Sequence, residues 1–198
     1  MIAIMDYDVG NLGSIKNALD YLKFENVITS DKNVILKADK IILPGVGAFK
    51  DAMDAFKRKG FVDVIDQAIK KDIPILGICV GMQILFSHSH ENGVYDGLDI
   101  IKGEVVKFNK EIDRVPHVGW NQITITKDNP LLKELDGRYV YFVHSYYVDK
   151  CEYMISKTEY AGKTFCSAIC YKNIYATQFH PEKSGKVGLK ILKNFGDL

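Results

Sequence analysis

Several absences narrow the chain before any motif does. No run of apolar residues reaches the ~18 or more that a spanning helix needs; the longest candidate, Ile73 to Phe86, is interrupted by glycines and by Gln83. The start, MIAIMDYDVGNLGSIKNAL, has neither a basic n-region nor a long apolar h-region, so nothing in it reads as an export signal and the cytoplasm is expected. Charge of one sign is not in excess. Lys and Arg number 26 against 25 Asp and Glu, a net +1, which sets up no overall field toward nucleic acid or an anionic membrane. Cysteine is sparse and unpatterned: Cys79, Cys151, Cys166 and Cys170 show neither CxxC pairing nor the Cys/His spacing of a zinc site. A disulfide framework is not expected, and the last three, in strand-like sequence, read as small buried hydrophobes. Repeats, low-complexity tracts and Pro/Ser-rich linkers are also missing, so residues 1–198 read as one domain with a shared core.

What is present is 47% hydrophobic residues over 198 positions, enough for a sizeable core. Ile2 to Met5 reads as a strand, followed by a Gly/Asn turn and a helix with Ile15, Leu19 and Leu22 on one face. Val27 to Thr29 and Lys40 to Leu43 read as further strands, and Ala48 to Lys71 as one or two helices broken near Gly60. Ile75 to Ile78 is uniformly apolar, as in a parallel strand covered on both faces. Strands alternating with helices predict an α/β fold, an open and mostly parallel sheet flanked by helices. Beyond Gly103 the pattern turns to strand-like segments, expected to add antiparallel strands: Glu104 to Phe108, Gln122 to Thr126, Tyr139 to Val148, Tyr153 to Lys157, Thr164 to Cys170 and Ile174 to Gln178. Gly185 to Phe195 reads as a closing helix, and Ser87 to Gly97 as a long polar loop.

Three punctuated stretches carry chemistry. In Gly77-Ile78-Cys79-Val80-Gly81 a strand must turn sharply into a helix, and glycines on either side of Cys79 let the two pass closely. That is a nucleophile elbow with sulfur in place of oxygen. A helix N-terminus favours thiolate over thiol, and the Val80 N–H would face an oxyanion formed on an attacked carbonyl. In Gln178-Phe179-His180-Pro181-Glu182, residues 180 and 182 of an extended chain point to one side, so Glu182 could orient His180 as the base for the thiol. Pro44-Gly45-Val46-Gly47, after the third strand, lacks the Lys-Ser/Thr of a P-loop and suits a second oxyanion donor better than a phosphate cradle. Each stretch also has a plainer reading. Cys79 could be a core residue, and His-Pro-Glu a surface turn. His88 and His90 read as solvent-facing rather than metal-binding, and His117 and His144 as structural.

The motifs G-I-C-V-G-M-Q (Gly77 to Gln83), P-G-V-G (Pro44 to Gly47) and H-P-E (His180 to Glu182), in this order, resemble those of the triad-type class I glutamine amidotransferases over nearly the whole chain. Asp6-Tyr7 with Gly10-Asn11, P-H-V-G-W-N (Pro116 to Asn121) and Y-F-V-H-S-Y-Y (Tyr141 to Tyr147) are similar to the branch of that family that serves histidine biosynthesis. The resemblance implies a flavodoxin-like fold and hydrolysis of glutamine through a γ-glutamyl thioester on Cys79. His180 would be the general base and then acid, Glu182 the orienting carboxylate, and the Val46 and Val80 N–H groups the oxyanion hole. By the same resemblance Gly45, Gly47, Gln83, Glu91 and the His144-Ser145-Tyr146 backbone would bind the amino-acid end of glutamine. The partner would be a (β/α)-barrel cyclase forming a heterodimer, with Asn11, Trp120, Tyr141 and Lys183 at the interface. No cofactor or metal is implied. Two other readings stand beside this one: a related glutaminase supplying a synthase that aminates a surface-glycan sugar, and a non-catalytic interaction module or thiol sensor on the same fold. Trp120 has a further alternative as a core anchor.

Overall fold

The computed structural model describes residues 1–109 and 114–198. The first half alternates strictly: β1 (Ile2–Met5), α1 (Leu12–Tyr21), β2 (Asn26–Thr29), α2 (Lys32–Ile35), β3 (Lys40–Leu43), α3 (Phe49–Arg58), α4 (Val62–Lys70), β4 (Ile75–Ile78) and the single turn α5 (Val80–Gln83). β1 and β4 are buried at every residue, as parallel strands with both faces covered must be. Helix α3 buries Phe49, Ala52, Met53 and Phe56, a stripe at helical spacing. It stops where expected. Gly60, at φ +65°, lets Phe61 N–H reach back to Phe56 O and Gly60 N–H to Lys57 O, closing the last turn before α4 begins.

The second half is strand-rich: β5 (Phe86–Ser89), β6 (Tyr95–Asp96), β7 (Ile101–Lys107), β8 (His117–Gln122), β9 (Thr124–Ile125), β10 (Tyr139–His144), β11 (Tyr146–Val148), β12 (Met154–Tyr160), β13 (Lys163–Tyr171) and β14 (Ile174–Thr177), then α6 (Gly185–Gly196). The main sheet runs β2-β1-β3-β4-β14-β13-β11-β7-β5-β6, with β12 and β9 beyond β13. It is parallel from β2 to β14 and turns antiparallel at β13. β8 and β10 form a separate antiparallel ribbon. One continuous cluster of buried side chains runs through both halves, from Ile2 to Phe195. Among the described residues no helix is long and apolar enough to cross a membrane.

Four expectations change. Ser87 to Gly97 is not a plain loop: β5 pairs with β7 and with β6, and its polar residues find partners, Ser87 in Asp99 just before β7 and His88 in Glu104 across the β5–β7 pair. The segment Tyr139 to Val148 breaks at Ser145, because β10 belongs to the ribbon and β11 to the main sheet. Gln122 to Thr126 divides between the ribbon strand β8 and the short β9, which pairs with β12. Of the three cysteines read as core, Cys166 is fully buried while Cys151 and Cys170 are only half-buried; all three are free thiols.

β14 lies parallel beside β4, with Thr177 opposite Ile78. The chain therefore leaves two neighbouring strands at one edge of the sheet, into Cys79 on one side and toward His180 on the other. The carboxyl edge of a parallel sheet is where such folds place ligands.

Candidate active site

Cys79 caps α5 with φ +54°, a left-handed conformation that costs a non-glycine residue on the order of 1–3 kcal/mol and that only surrounding structure can impose. The constraints are visible. Its N–H donates to Thr177 O at 2.7 Å, and its carbonyl accepts from Met82 and Gln83 N–H at 2.9 and 3.1 Å. A Cβ on Gly77 would lie 2.8 Å from Gly81 O, one on Gly81 would overlap Leu43 O, and one on Gly45 would overlap the Val80–Gly81 peptide. The end of β3 and the elbow thus touch backbone to backbone, which only glycine permits. Cys79 itself is 4% exposed.

His180 is extended (φ −100°, ψ 97°), but Pro181–Lys183 form a 3-10 turn, so the strand geometry does not continue to Glu182 as the sequence implied. The pair forms all the same: His180 Nδ1 to Glu182 Oε1 is 2.8 Å, with both side chains 1% exposed. Tyr141 O accepts the His180 N–H, Tyr141 N–H donates to Ser184 Oγ, and Ser184 Oγ–H closes onto His180 O. His180 Nε2 is buried with no hydrogen-bond partner among the described residues. Burial alone would push the ring's pKa down, but the Cys79 and Glu182 side chains outweigh it and hold it up, at about 10. A nuclear magnetic resonance titration of the free protein should find an imidazolium at neutral pH that loses its proton near pH 10, and a lower midpoint in Cys79→Ala. A ring titrating near 6.5 in both would contradict this. Because the folded pKa lies above the unfolded one, this group's contribution to stability is complete below about pH 6.5 and fades as pH rises through about 10.

Both residues open onto a cleft of about 600 Å³. Val46, Gly47, Val80, Gln83, Glu91, His144, Ser145 and Tyr146 line it with them, as do Asn11 and Lys183 at its rim. Gly45 lies beneath, packed on the elbow, and Glu182 lies behind His180. Trp120 and Tyr141 lie outside it, on the ribbon. They are cross-strand neighbours with rings edge to face at 6.2 Å, and Trp120 is 55% exposed, so it is no core anchor. Glu91 Oε2 accepts the Phe49 N–H at 2.7 Å, tying the cleft wall to the N-terminus of α3. The Tyr7 hydroxyl donates to Pro44 O and so anchors the Pro44–Gly47 segment; burial, and then the nearby Cys79, hold its pKa above the ordinary phenol value.

Sequence reading missed a buried polar network behind the cleft. His144 Nδ1 faces Tyr146 O at 2.8 Å, and a carbonyl only accepts, so the proton is on Nδ1. Burial pushes His144 down to about 3, leaving it neutral with a bare Nε2 that accepts from His117 Nδ1–H at 3.0 Å. Gln83 Nε2 donates to the same Tyr146 O and to Gln178 Oε1, both at 3.0 Å. The sequence signal for Gln178 was a polar residue at the end of an apolar strand, immediately before the histidine motif. His88 and His90, both half-exposed, share the Glu104 carboxylate at 3.0 and 2.8 Å.

The family model "Glutamine amidotransferase class-I" matches residues 3–197. A protein of Geobacter sulfurreducens described as "Imidazole glycerol phosphate synthase subunit HisH" is 50% identical, covering 100% of this chain and 98% of the relative. One of Syntrophotalea carbinolica with the same description is 48% identical over the full length of both chains. Among solved structures, the fold is similar to "Structure of PurLQS from Thermotoga maritima", with a TM-score of 0.76 at 18% identity over 98% of this chain and 96% of that one. It is equally similar to a "Crystal structure of glutamine amidotransferase", with a TM-score of 0.76 at 15% identity over 98% of both chains.

Proposed function

The chain belongs to the class-I glutamine amidotransferases, and from that membership we propose that it is the glutaminase subunit of an imidazole glycerol phosphate synthase. The observation that carries the reaction is the meeting of Cys79 and His180 at the ends of two paired strands, in one cleft and with Glu182 behind the imidazole. The whole chain acts as one amidotransferase domain working in the cytoplasm.

The site residues take the following roles. Cys79 Sγ, its proton held by His180, attacks the side-chain carbonyl of glutamine. The carbonyl oxygen gathers charge opposite the Val46 and Val80 N–H groups. When the C–N bond breaks, the His180 proton leaves with ammonia, and a γ-glutamyl thioester remains. Water, deprotonated by His180, then attacks that carbonyl and the C–S bond breaks to release glutamate. Glu182 fixes the ring through Nδ1, leaving Nε2 for each transfer. Glutamine's α-ammonium meets Glu91, whose Oε2 is already engaged by Phe49, so Oε1 is the oxygen available. Gly45, Gly47, Gln83 and the His144–Tyr146 backbone complete the pocket for the amino-acid end.

Ammonia passes to a (β/α)-barrel cyclase docked over the cleft mouth, on Asn11, Trp120, Tyr141 and Lys183. The exposed Trp120, edge to face with the half-buried Tyr141, is what supports that placement. The descriptions of the full-length relatives favour this customer over a sugar-aminating synthase. The test is glutamate release with and without the barrel subunit. Release should rise at least tenfold with it, and Trp120→Ala should raise the cyclase concentration needed for half of that effect. No stimulation by a histidine-pathway cyclase would remove that assignment and leave the sugar synthase to be tried.

A further inference from the structure

We infer that Gln178 is a further catalytic residue, one whose side-chain amide donates to the Cys79 sulfur and holds it as thiolate for attack. Gln178 Nε2 lies 3.6 Å from Cys79 Sγ, and Gln178 is completely buried, so the contact is shielded from water. The inference rests on the reading of Cys79 as nucleophile and adds to it a group that touches the reacting atom.

The direction of this hydrogen bond follows from its neighbours. An amide is nearly symmetric in shape, so Gln178 could present either oxygen or N–H to the sulfur. Tyr146 O accepts only, which makes Gln83 turn its Nε2 that way. The second proton of the same Nε2 meets the other Gln178 atom, which must then be Oε1. What is left facing Cys79 is the Gln178 N–H. A polar side chain fully buried at the end of β14 would be costly without a task. Here its oxygen is satisfied by Gln83 and its N–H is spent on sulfur. A donor of this kind strengthens when sulfur is charged and weakens when it is not.

Other groups around Cys79 that titrate are His180 after β14, Tyr7 after β1, Glu91 after β5, His144 at the end of β10 and Lys183 in the turn beyond His180. None of them depends on the Gln178 amide, so its contribution can be read separately. The test follows iodoacetamide labelling of Cys79 against pH, mapped by peptide mass so that Cys151 and Cys170 do not interfere. Gln178→Met keeps the volume and removes the donor. Its labelling midpoint should rise by about one pH unit or more, and kcat with the cyclase present should fall on the order of tenfold. KM for glutamine should rise as well, because Gln178 Oε1 holds Gln83, which lines the cleft; the labelling midpoint, read without glutamine, separates the effect on the sulfur from that one. An unchanged midpoint in a folded Gln178→Met overturns the inference.

Should that variant not fold, the wild type answers instead. The Gln178 side-chain amide resonance should shift with the ionisation of Cys79, and a resonance indifferent to it overturns the inference. Labelling requires neither glutamine nor partner. Failure of the wild type to release glutamate with any partner would therefore defeat the glutaminase reading without touching this measurement.

Discussion

Replacing Cys79 with alanine should lower glutamate release from glutamine, measured with the cyclase present, by on the order of 10⁴-fold or more. The expectation is this large because in the proposed reaction the thiol is the atom that becomes covalently bonded, and no other cysteine lines the cleft. Cys166 and Cys170 are both in β13, and Cys151 precedes β12. The substitution should leave the fold intact. Alanine meets the same left-handed backbone at residue 79, and the lost sulfur is one atom at the cleft floor. Thermal unfolding within a few degrees of the wild type, together with absent turnover, is the expected pair of results. Undiminished turnover would remove Cys79 from the reaction.

The second large effect is structural. Gly81→Ala should destabilise the protein by about 3 kcal/mol or more, because the added Cβ would overlap the Leu43 carbonyl, and backbone, unlike a side-chain tip, does not swing aside. For a chain of this size that corresponds to a fall in Tm of roughly 6–12 °C. The relief available is to part β3 from the elbow, which moves the Val46 segment away from Val80. Turnover should therefore fall further than the loss of folded protein explains. A variant with wild-type Tm and turnover would show that the elbow does not need this contact. Gly13 offers the control, since nothing lies within 4 Å of a Cβ placed there.

The parts of the molecule legible in sequence were those governed by local rules. Ile2–Met5, Lys40–Leu43 and Ile75–Ile78 are bounded as expected, because a short apolar run rich in isoleucine between turn signals has few other fates. The elbow glycines were legible for the same reason, as a demand of backbone geometry. Ser87 to Gly97 misled because its polar residues are paired with Asp99 and Glu104, partners distant enough that composition reads only as solvent. Tyr139 to Val148 misled because its break at Ser145 reflects which sheet each half joins. Gln178 went unread because one polar residue at the end of a strand does not say what it pairs with. Its meaning lies in Gln83, 95 positions away in sequence.

The ribbon has a consequence for how two occupants of this protein would sense each other. Tyr141 offers one end of its backbone to Ser184 and the other to the His180 N–H, so the ribbon and the backbone that carries the imidazole are joined through a single residue. A binder that prefers one alignment of Tyr141 thereby prefers one alignment of His180. Equilibrium allows no one-way traffic in such a link. If the protein loaded with glutamine holds its cyclase more tightly, then the cyclase must tighten the hold on glutamine by the same factor, and the two affinities form a closed cycle that can be measured from either side.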